Sequence, residues 1–241
     1  MIFNLFKSKP ALKELIQGGF VDIHSHILPG IDDGSHSVSE SVRLIRKMHE
    51  MGFTKIIGTP HTYPGVYDNS NESIRNSFQS LSDSKINLPI SYASEYIIDE
   101  YLIQKAEKKS LLTLKKNYVL VEMSFVSAPL NLYDIIFKLR TNGYIPVLAH
   151  PERYRFIIND FSQYFKLKNH GCKFQTNLLS LIGYYGNDIL NVTEKLLENN
   201  LIDFLGSDIH NMNHIKLFSK KIKVKKISKL IQVIERNKLF H

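Results

Sequence analysis

Seven short apolar runs punctuate this sequence, and longer amphipathic stretches separate them. The apolar runs are FVDIH, KIIGT, ISYAS, YVLVEM, IPVLAH, KFQTN and IDFLGS. Between them stand SVSESVRLIRKMHEM, NESIRNSFQSLSD, YLIQKAEKK, LYDIIFKLRTN, FSQYFKLKN and VTEKLLENN. The first of these repeats residues at helical spacing through Val42, Ile45 and Met48 or His49. Gly52, Gly143 and Gly171 follow three of the stretches as helix stops. Strands buried on both faces read as near-continuous apolar runs, and strands alternating with helices build a parallel sheet. The expected class is therefore α/β with mainly parallel strands. About seven units without a linker-like segment make a closed or nearly closed barrel the economical architecture, with an open doubly wound sheet as the alternative. One domain is expected over residues 1–241. Residues 1–18 form an N-terminal arm whose Phe3, Leu5 and Phe6 pack on their own domain, or alternatively meet a partner or membrane.

The residues that end the apolar runs are polar. The first run gives His24 and His26, with Asp32 and Asp33 close behind; the second gives His61, the third Glu95, the fourth Glu122. The fifth gives His150, Glu152 and Arg153, the sixth Gln175 and Asn177, the seventh Asp208 and His210. In a parallel barrel all strand C-termini open on one face, where active sites sit. So many carboxylates in one place repel each other unless cations neutralise them. Imidazoles beside carboxylates suit divalent Mn, Fe or Zn. His24 and His26 lie two apart on an extended run, so both can face the same ion. Of Asp32 and Asp33, one is expected on metal and the other in the turn before Gly34. Asp22 and Glu152 are expected to orient ligands from behind. His36, His49, His170, His214 and His241 are assigned to surface or packing, with some reservation for His214.

Other chemistries are excluded or weakened. The single cysteine, Cys172, rules out a disulfide framework and a cysteine-rich zinc site. Leu178 stands where a Cys-x5-Arg phosphatase loop needs arginine. No run is long enough to span a membrane, the N-terminal stretch lacks a signal-peptide pattern, and a cytoplasmic location is expected. The net charge of +8 suits a polyanion, an anionic surface or an acidic substrate. Lys220, Lys221, Lys223, Lys225, Lys226 and Lys229 are read as a solvated helix face. Aromatic–basic interleaving is weak, so no nucleic-acid partner is expected. Peripheral membrane contact remains open.

At these motifs the sequence resembles the polymerase and histidinol phosphatase (PHP) superfamily, with H-x-H on the first strand and D-x-H on the last. DIHSHILPGIDDG, TPH, SEY, VEMS, AHPERY and SDIHN are similar to its bacterial CpsB/YwqE-type protein-tyrosine phosphatases. The resemblance runs from about Gly19 to beyond Asn211. It implies a distorted (β/α)7 barrel and three divalent ions, often Mn2+. His24, His26 and Asp208 would hold the first ion, with Glu95 bridging to a second completed by Glu122 and His150. Asp33, His61 and His210 would hold the third. Arg153, Asp208 and His210 are the implied catalytic residues, and Arg153 would grip phosphate. Relatives often carry an arginine shortly after the last D-x-H-N. Here the run is DIHNMNHIKLF, which leaves Lys216 or His214 for that role.

The implied activity is metal-dependent hydrolysis of phosphotyrosine. The implied substrate is the tail of a bacterial tyrosine kinase that controls capsule or exopolysaccharide synthesis. Tyr63, Phe125 and Tyr154 are candidates to pack on the phenyl ring. The alternatives are a histidinol-phosphate or other small-molecule phosphatase, a nuclease of the same superfamily acting on DNA ends, and a non-catalytic regulator that binds the kinase tail.

Overall fold

The structure is a computed structural model and describes residues 9–84 and 86–241. Phe3, Leu5 and Phe6 lie outside the described residues. Every strand pairing is parallel, in two sheets. The smaller joins β1 (Phe20–Asp22), β2 (Phe53–Gly58) and β4 (Ile90–Tyr92) in that order. The larger runs β3 (His61–Thr62), β5 (Glu95–Ile97), β6 (Tyr118–Glu122), β7 (Ile145–Ala149), β8 (Lys173–Asn177) and β9 (Phe204–Gly206).

The seven expected strands are present, but the second and third are each broken in two. Pro60 lacks an N–H and interrupts the ladder between β2 and β3. Ala93 and Ser94 separate β4 from β5. The wall stays stitched across the break, because Ala93 N–H donates to Gly58 O (2.8 Å) and Glu95 N–H to Pro60 O (3.0 Å). A distorted barrel results.

The barrel closes between β9 and β1 through a narrow seam. At its top Asp208 N–H donates to His24 O (2.8 Å) and His26 N–H to Ile209 O (3.0 Å). Lower down the strands splay, and the buried Asn237 amide fills the gap. Its Nδ2 donates to Val21 O (2.8 Å) and Leu205 O (2.6 Å), and its Oδ1 accepts from Leu205 N–H (3.0 Å). The barrel interior holds Val21, Ile23, Ile57, Leu120, Val147 and Phe204. Phe240 stops its lower end, with its ring centroid 4.9 Å from that of Phe204 and 5.4 Å from that of Tyr118.

The expected helices form as α2 (Val38–Glu50), α3 (Asn71–Gln79), α4 (Glu100–Glu107), α5 (Leu132–Thr141), α7 (Ser162–Asn169) and α8 (Asn187–Glu198). In α2 the buried face is Ser41, Leu44, Ile45 and Met48, and the Ser37 side chain caps its start by accepting from Glu40 N–H. Three further α-helices among the described residues were not expected, α1 (Leu12–Ile16), α6 (Arg155–Ile158) and α9 (Met212–Leu217), whereas the expected C-terminal helix forms as α10 (Ile227–Arg236) and holds Lys229 of the lysine cluster. The basic C-terminal stretch departs from the expected helix face. Lys220, Lys221, Lys223, Lys225 and Lys226 precede α10, and lysines at 221, 223 and 225 alternate with buried Ile222 and Val224. That is the period of an extended chain. Among the described residues no helix is long and apolar enough to cross a membrane.

Candidate metal centre

The strand ends deliver the nine expected donors to one mouth. His24 Nε2 lies 3.2 Å from His26 Nε2 and 3.0 Å from Glu95 Oε2. His26 Nε2 lies 3.3 Å from Glu95 Oε2, and both imidazole nitrogens are 3.4 Å from Asp208 Oδ1. His61 Nδ1 is 2.9 Å from Glu122 Oε1 and 3.3 Å from Glu95 Oε2. His150 Nε2 is 3.1 Å from Glu95 Oε1. Asp33 Oδ1 stands 3.6 Å from His61 Nε2 and 3.5 Å from His210 Nε2. Glu95 is thus central, its two oxygens lying 3.0–3.3 Å from nitrogens of four imidazoles. His61 reaches both the Glu95–Glu122 group and the Asp33–His210 group, and His150 lies with His24 and Asp208.

Neighbouring side chains fix the imidazole tautomers. The Asp208 carboxylate can only accept, so Asn177 must present its NH2 group to Oδ2 (2.7 Å). Asn177 Oδ1 then accepts from Gln175 Nε2 (3.0 Å), which turns Gln175 Oε1 toward His24 Nδ1 (2.7 Å). His24 therefore carries a proton on Nδ1 and aims Nε2 at the cluster. Asp32 does the same for His26, taking its Nδ1–H at 2.7 Å. Asp32 also accepts from Gly34 N–H (2.9 Å) and His61 N–H (3.1 Å), so it is the turn-shaping member of the aspartate pair. Asp33 is half exposed and faces the cavity. Asp22 binds Ser207 through N–H and Oγ, and Glu152 accepts from Asn177 N–H (2.9 Å) and Ser180 Oγ (2.6 Å).

Two imidazole lone pairs facing each other at 3.2 Å repel unless a cation or proton lies between them. Donors about 2.0–2.2 Å from a common ion stand roughly 3.0–3.5 Å apart. The separations among His24, His26, Glu95 and Asp208 run from 3.0 to 3.4 Å. His150 Nδ1 is buried without a hydrogen-bond partner, so the ring is anchored only on its Nε2 side. The donor set fits divalent cations.

The electrostatics agree. Burial alone would lower the His24 pKa, but the Glu95 and Asp208 carboxylates outweigh it and raise it to about 9. Burial would raise Asp208, yet His24, His210 and Arg153 hold it well below the carboxylate range. Burial and the Glu95 charge push Glu122 up. Burial drives His150 down to about 4.

Above the donors lies an open cavity of about 630 Å³. The Arg153 guanidinium lies between two rings, 4.7 Å from the Phe125 centroid and 4.4 Å from the Tyr185 centroid. Its Nη1 donates to Asp208 Oδ2 at 3.0 Å. Tyr184, Asn211 and His214 complete the rim. Lys216 stands outside: it is exposed and donates to Asn213 Oδ1 at 3.2 Å. Tyr154 is buried, its hydroxyl accepting from Met123 N–H (2.9 Å) and donating to Ala149 O (3.1 Å), so it cannot meet a ligand. Tyr63 is not on the cavity wall, whereas Phe125 is. Sequence reasoning missed Tyr184 and Tyr185. Their signal was the flanking pair Gly183 and Gly186, both in left-handed conformations that turn the two rings over the mouth.

Residues 20–233 match the family described as "Capsular polysaccharide synthesis, CpsB/CapC". The chain belongs to the CpsB/CapC family. Among curated proteins, the chain is similar to the tyrosine-protein phosphatase YwqE of Bacillus subtilis, 35% identical over 197 residues, covering 80% of this chain and 78% of that protein. The putative tyrosine-protein phosphatase CapC of Staphylococcus aureus is 30% identical over 207 residues, covering 84% and 81%. Crystal structures of YwqE from B. subtilis and CpsB from Streptococcus pneumoniae are described as unique metal-dependent tyrosine phosphatases. The matching chain superposes with a TM-score of 0.80 at 31% identity, covering 91% of this chain and 93% of its own. A lactonase from Listeria monocytogenes shares the fold alone, at 10% identity and a TM-score of 0.52.

Proposed function

We propose that this chain is a metal-dependent protein-tyrosine phosphatase whose site residues are the nine donors together with Arg153. The observation that carries this reading is a stacked, carboxylate-anchored arginine beside a fan of mostly buried donors, under aromatic walls. We further assign three divalent ions, with Mn2+ as the native metal. His24, His26, Asp208 and Glu95 would serve the first, Glu95, Glu122 and His150 the second, and Asp33, His61 and His210 the third. His61 is close enough to Glu122 to join the second. When bound, such ions neutralise phosphoryl oxygens and make water acidic enough to yield a nucleophile near neutral pH.

The chain's own residues supply orientation. Arg153 can fork onto two phosphate oxygens, and its stacking and its bond to Asp208 keep that fork in place before substrate arrives. His210 donates Nδ1–H to Asp208 O (3.0 Å), which leaves Nε2 facing Asp33. Phe125 and Tyr184 offer apolar faces to a phenyl ring. A phenolate leaving group, with a conjugate-acid pKa of about 10, needs little protonation as it departs. Cys172 is not a nucleophile: it is buried, and burial pushes its thiol up to about 12.

The substrate in this reading is a phosphotyrosyl protein on the cytoplasmic side, where ATP-dependent phosphorylation occurs. The family description, capsular polysaccharide synthesis, supports a substrate in that process, and in this reading it is a tyrosine kinase that regulates capsule or exopolysaccharide synthesis. Phosphotyrosyl-peptide hydrolysis by metal-stripped protein, with and without Mn2+, tests the proposal. Turnover should need the metal, survive thiol-blocking reagents and disappear in His24→Ala. No turnover with any divalent metal would overturn it.

A further inference from the structure

We infer that a second cleft beside the catalytic mouth receives an additional anionic side chain, phosphorylated or carboxylate, from the same substrate chain. This inference rests on the tyrosine-phosphatase reading. The cleft encloses about 530 Å³ between α6 and α8. Arg155 and Asn159 line one wall; Asp188, Asn191 and Lys195 line the other, at spacings that share one helix face.

Its position follows from the chain. Arg155 is two residues beyond Arg153, and Asp188 three beyond Tyr185, so each wall continues a segment that lines the metal mouth. Two residues of chain span at most about 7 Å. An extended substrate advances about 3.3 Å per residue, so a side chain two to five residues from the phosphotyrosine reaches this cleft.

Its charge selects the ligand. Arg155 and Lys195 are exposed, and among the described residues neither side chain has a hydrogen-bond or ion-pair partner. Unpaired surface lysines such as Lys13 and Lys138 occur elsewhere, and others are paired, as Lys47 is with Glu50; Arg155 and Lys195 differ in lining one cleft together. Two unneutralised cations in one concave site, with the Asn159 and Asn191 amides as donors, suit an anion. Asp188 opposes one near the start of α8. It lies two turns, about 10 Å of helical rise, from Lys195, which leaves the Lys195 end for the ligand.

The test uses two fluorescein-labelled phosphotyrosyl peptides that differ only in having two Glu or two Ala residues two to five positions from the phosphotyrosine. Wild-type holoenzyme should favour the Glu peptide at least fivefold in kcat/KM. Arg155→Glu/Lys195→Glu should abolish that preference while p-nitrophenyl phosphate turnover stays within twofold. Asp188→Asn should widen the preference, a sign that a folding defect does not produce. The same peptides carrying a non-hydrolysable phosphonate, followed by anisotropy, give the comparison without turnover. Equal affinity of wild type for the two phosphonate peptides overturns the subsite, as does a double-variant effect equally large on the Ala peptide. Failure of wild type to hydrolyse p-nitrophenyl phosphate would overturn the phosphatase reading instead, and the phosphonate comparison would still decide the subsite.

Discussion

Adding Mn2+ to metal-stripped protein should release protons, and the release should shrink as pH rises through 9. Without a divalent cation the carboxylates are balanced by imidazolium. Burial opposes a charge on His24, but Glu95 and Asp208 prevail and its pKa rises to about 9. Burial likewise opposes a charge on His26, and Asp32 and Asp208 raise it well above its usual value. Burial opposes a charge on His61 as well, and Glu95 and Glu122 together raise it. Burial holds His150 near 4, so it has no proton to give. A group of pKa about 9 is roughly 97% protonated at pH 7.5 and about half protonated at pH 9. A metal ligand must be neutral imidazole, so uptake at pH 7.5 should expel about one proton per chain from His24, and any imidazolium proton held by the raised His26 and His61 leaves with it.

Calorimetric titration of Mn2+ in two buffers of different ionisation enthalpy counts those protons. His24→Ala should lower the count by about one. Metal binding with no proton release at pH 7.5, or with a release that ignores pH, would refute the reasoning. The same linkage gives the stability of the metal-free protein a sign. The His24 contribution is fully present below its unfolded value of 6.5 and is lost as pH rises through about 9. At 1.36 kcal/mol per pK unit that is at most about 3 kcal/mol. The depressed Asp208 and Glu95 values describe the same interactions from the acid side, present above the carboxylate range and lost as pH falls, and are not added to it.

Three substitutions probe other parts of the argument. Asp32→Asn should weaken metal binding about 10–100-fold, measured by competition with a chelator, because Asp32 accepts through both oxygens and an amide must turn its NH2 toward either Gly34 N–H or the His26 Nδ1–H that its tautomer depends on. Arg153→Lys should lower kcat/KM for a phosphotyrosyl peptide roughly 30-fold, about 2 kcal/mol, since an ammonium neither forks nor stacks between Phe125 and Tyr185; an unchanged value would remove Arg153 from the site. Asn237→Ala should cost about 2–4 kcal/mol in urea unfolding, because it leaves Val21 O, Leu205 O and Leu205 N–H buried without partners. A loss under about 0.5 kcal/mol would mean that the seam closes without its amide.

The barrel and its donors were legible because both depend on local pattern. Each apolar run ends in a polar residue, and parallel strands place those ends together whatever the helices do. The breaks at Thr59–Pro60 and Ala93–Ser94 were not read, although Pro60 was visible as a missing donor. The lysine stretch was misread because charge drew attention away from the period of Ile222 and Val224. Helix α6 is one turn long and shows no periodicity. The roles of Gln175, Asn177 and Asp32 depend on contacts across strands, such as the 151 positions between His24 and Gln175, and no local pattern encodes such pairs. Asn237 is harder still, because a lone asparagine near a C-terminus reads as a helix end.

Two of the proposed ligands occupy backbone conformations that residues other than glycine rarely adopt: His150 at φ 35° and Asp208 at φ 51°. His150 also precedes Pro151, a position that favours extended backbone. Each such conformation costs on the order of 1–3 kcal/mol and persists only when its surroundings dictate it. Both are pinned by a neighbouring strand, His150 N–H donating to Gln175 O at 2.7 Å and Asp208 N–H to His24 O at 2.8 Å. Gln175 and His24 are themselves joined through Oε1 and Nδ1. The two strained residues are therefore held by the same pair that sets the His24 tautomer. Close packing enforces the arrangement: a Cβ on Gly206 would lie 2.7 Å from both Gln175 Nε2 and the His24 Cβ. Strand spacing, tautomer and strain thus form one coupled unit, and a cation bound by His24 and Asp208 stabilises every part of it at once.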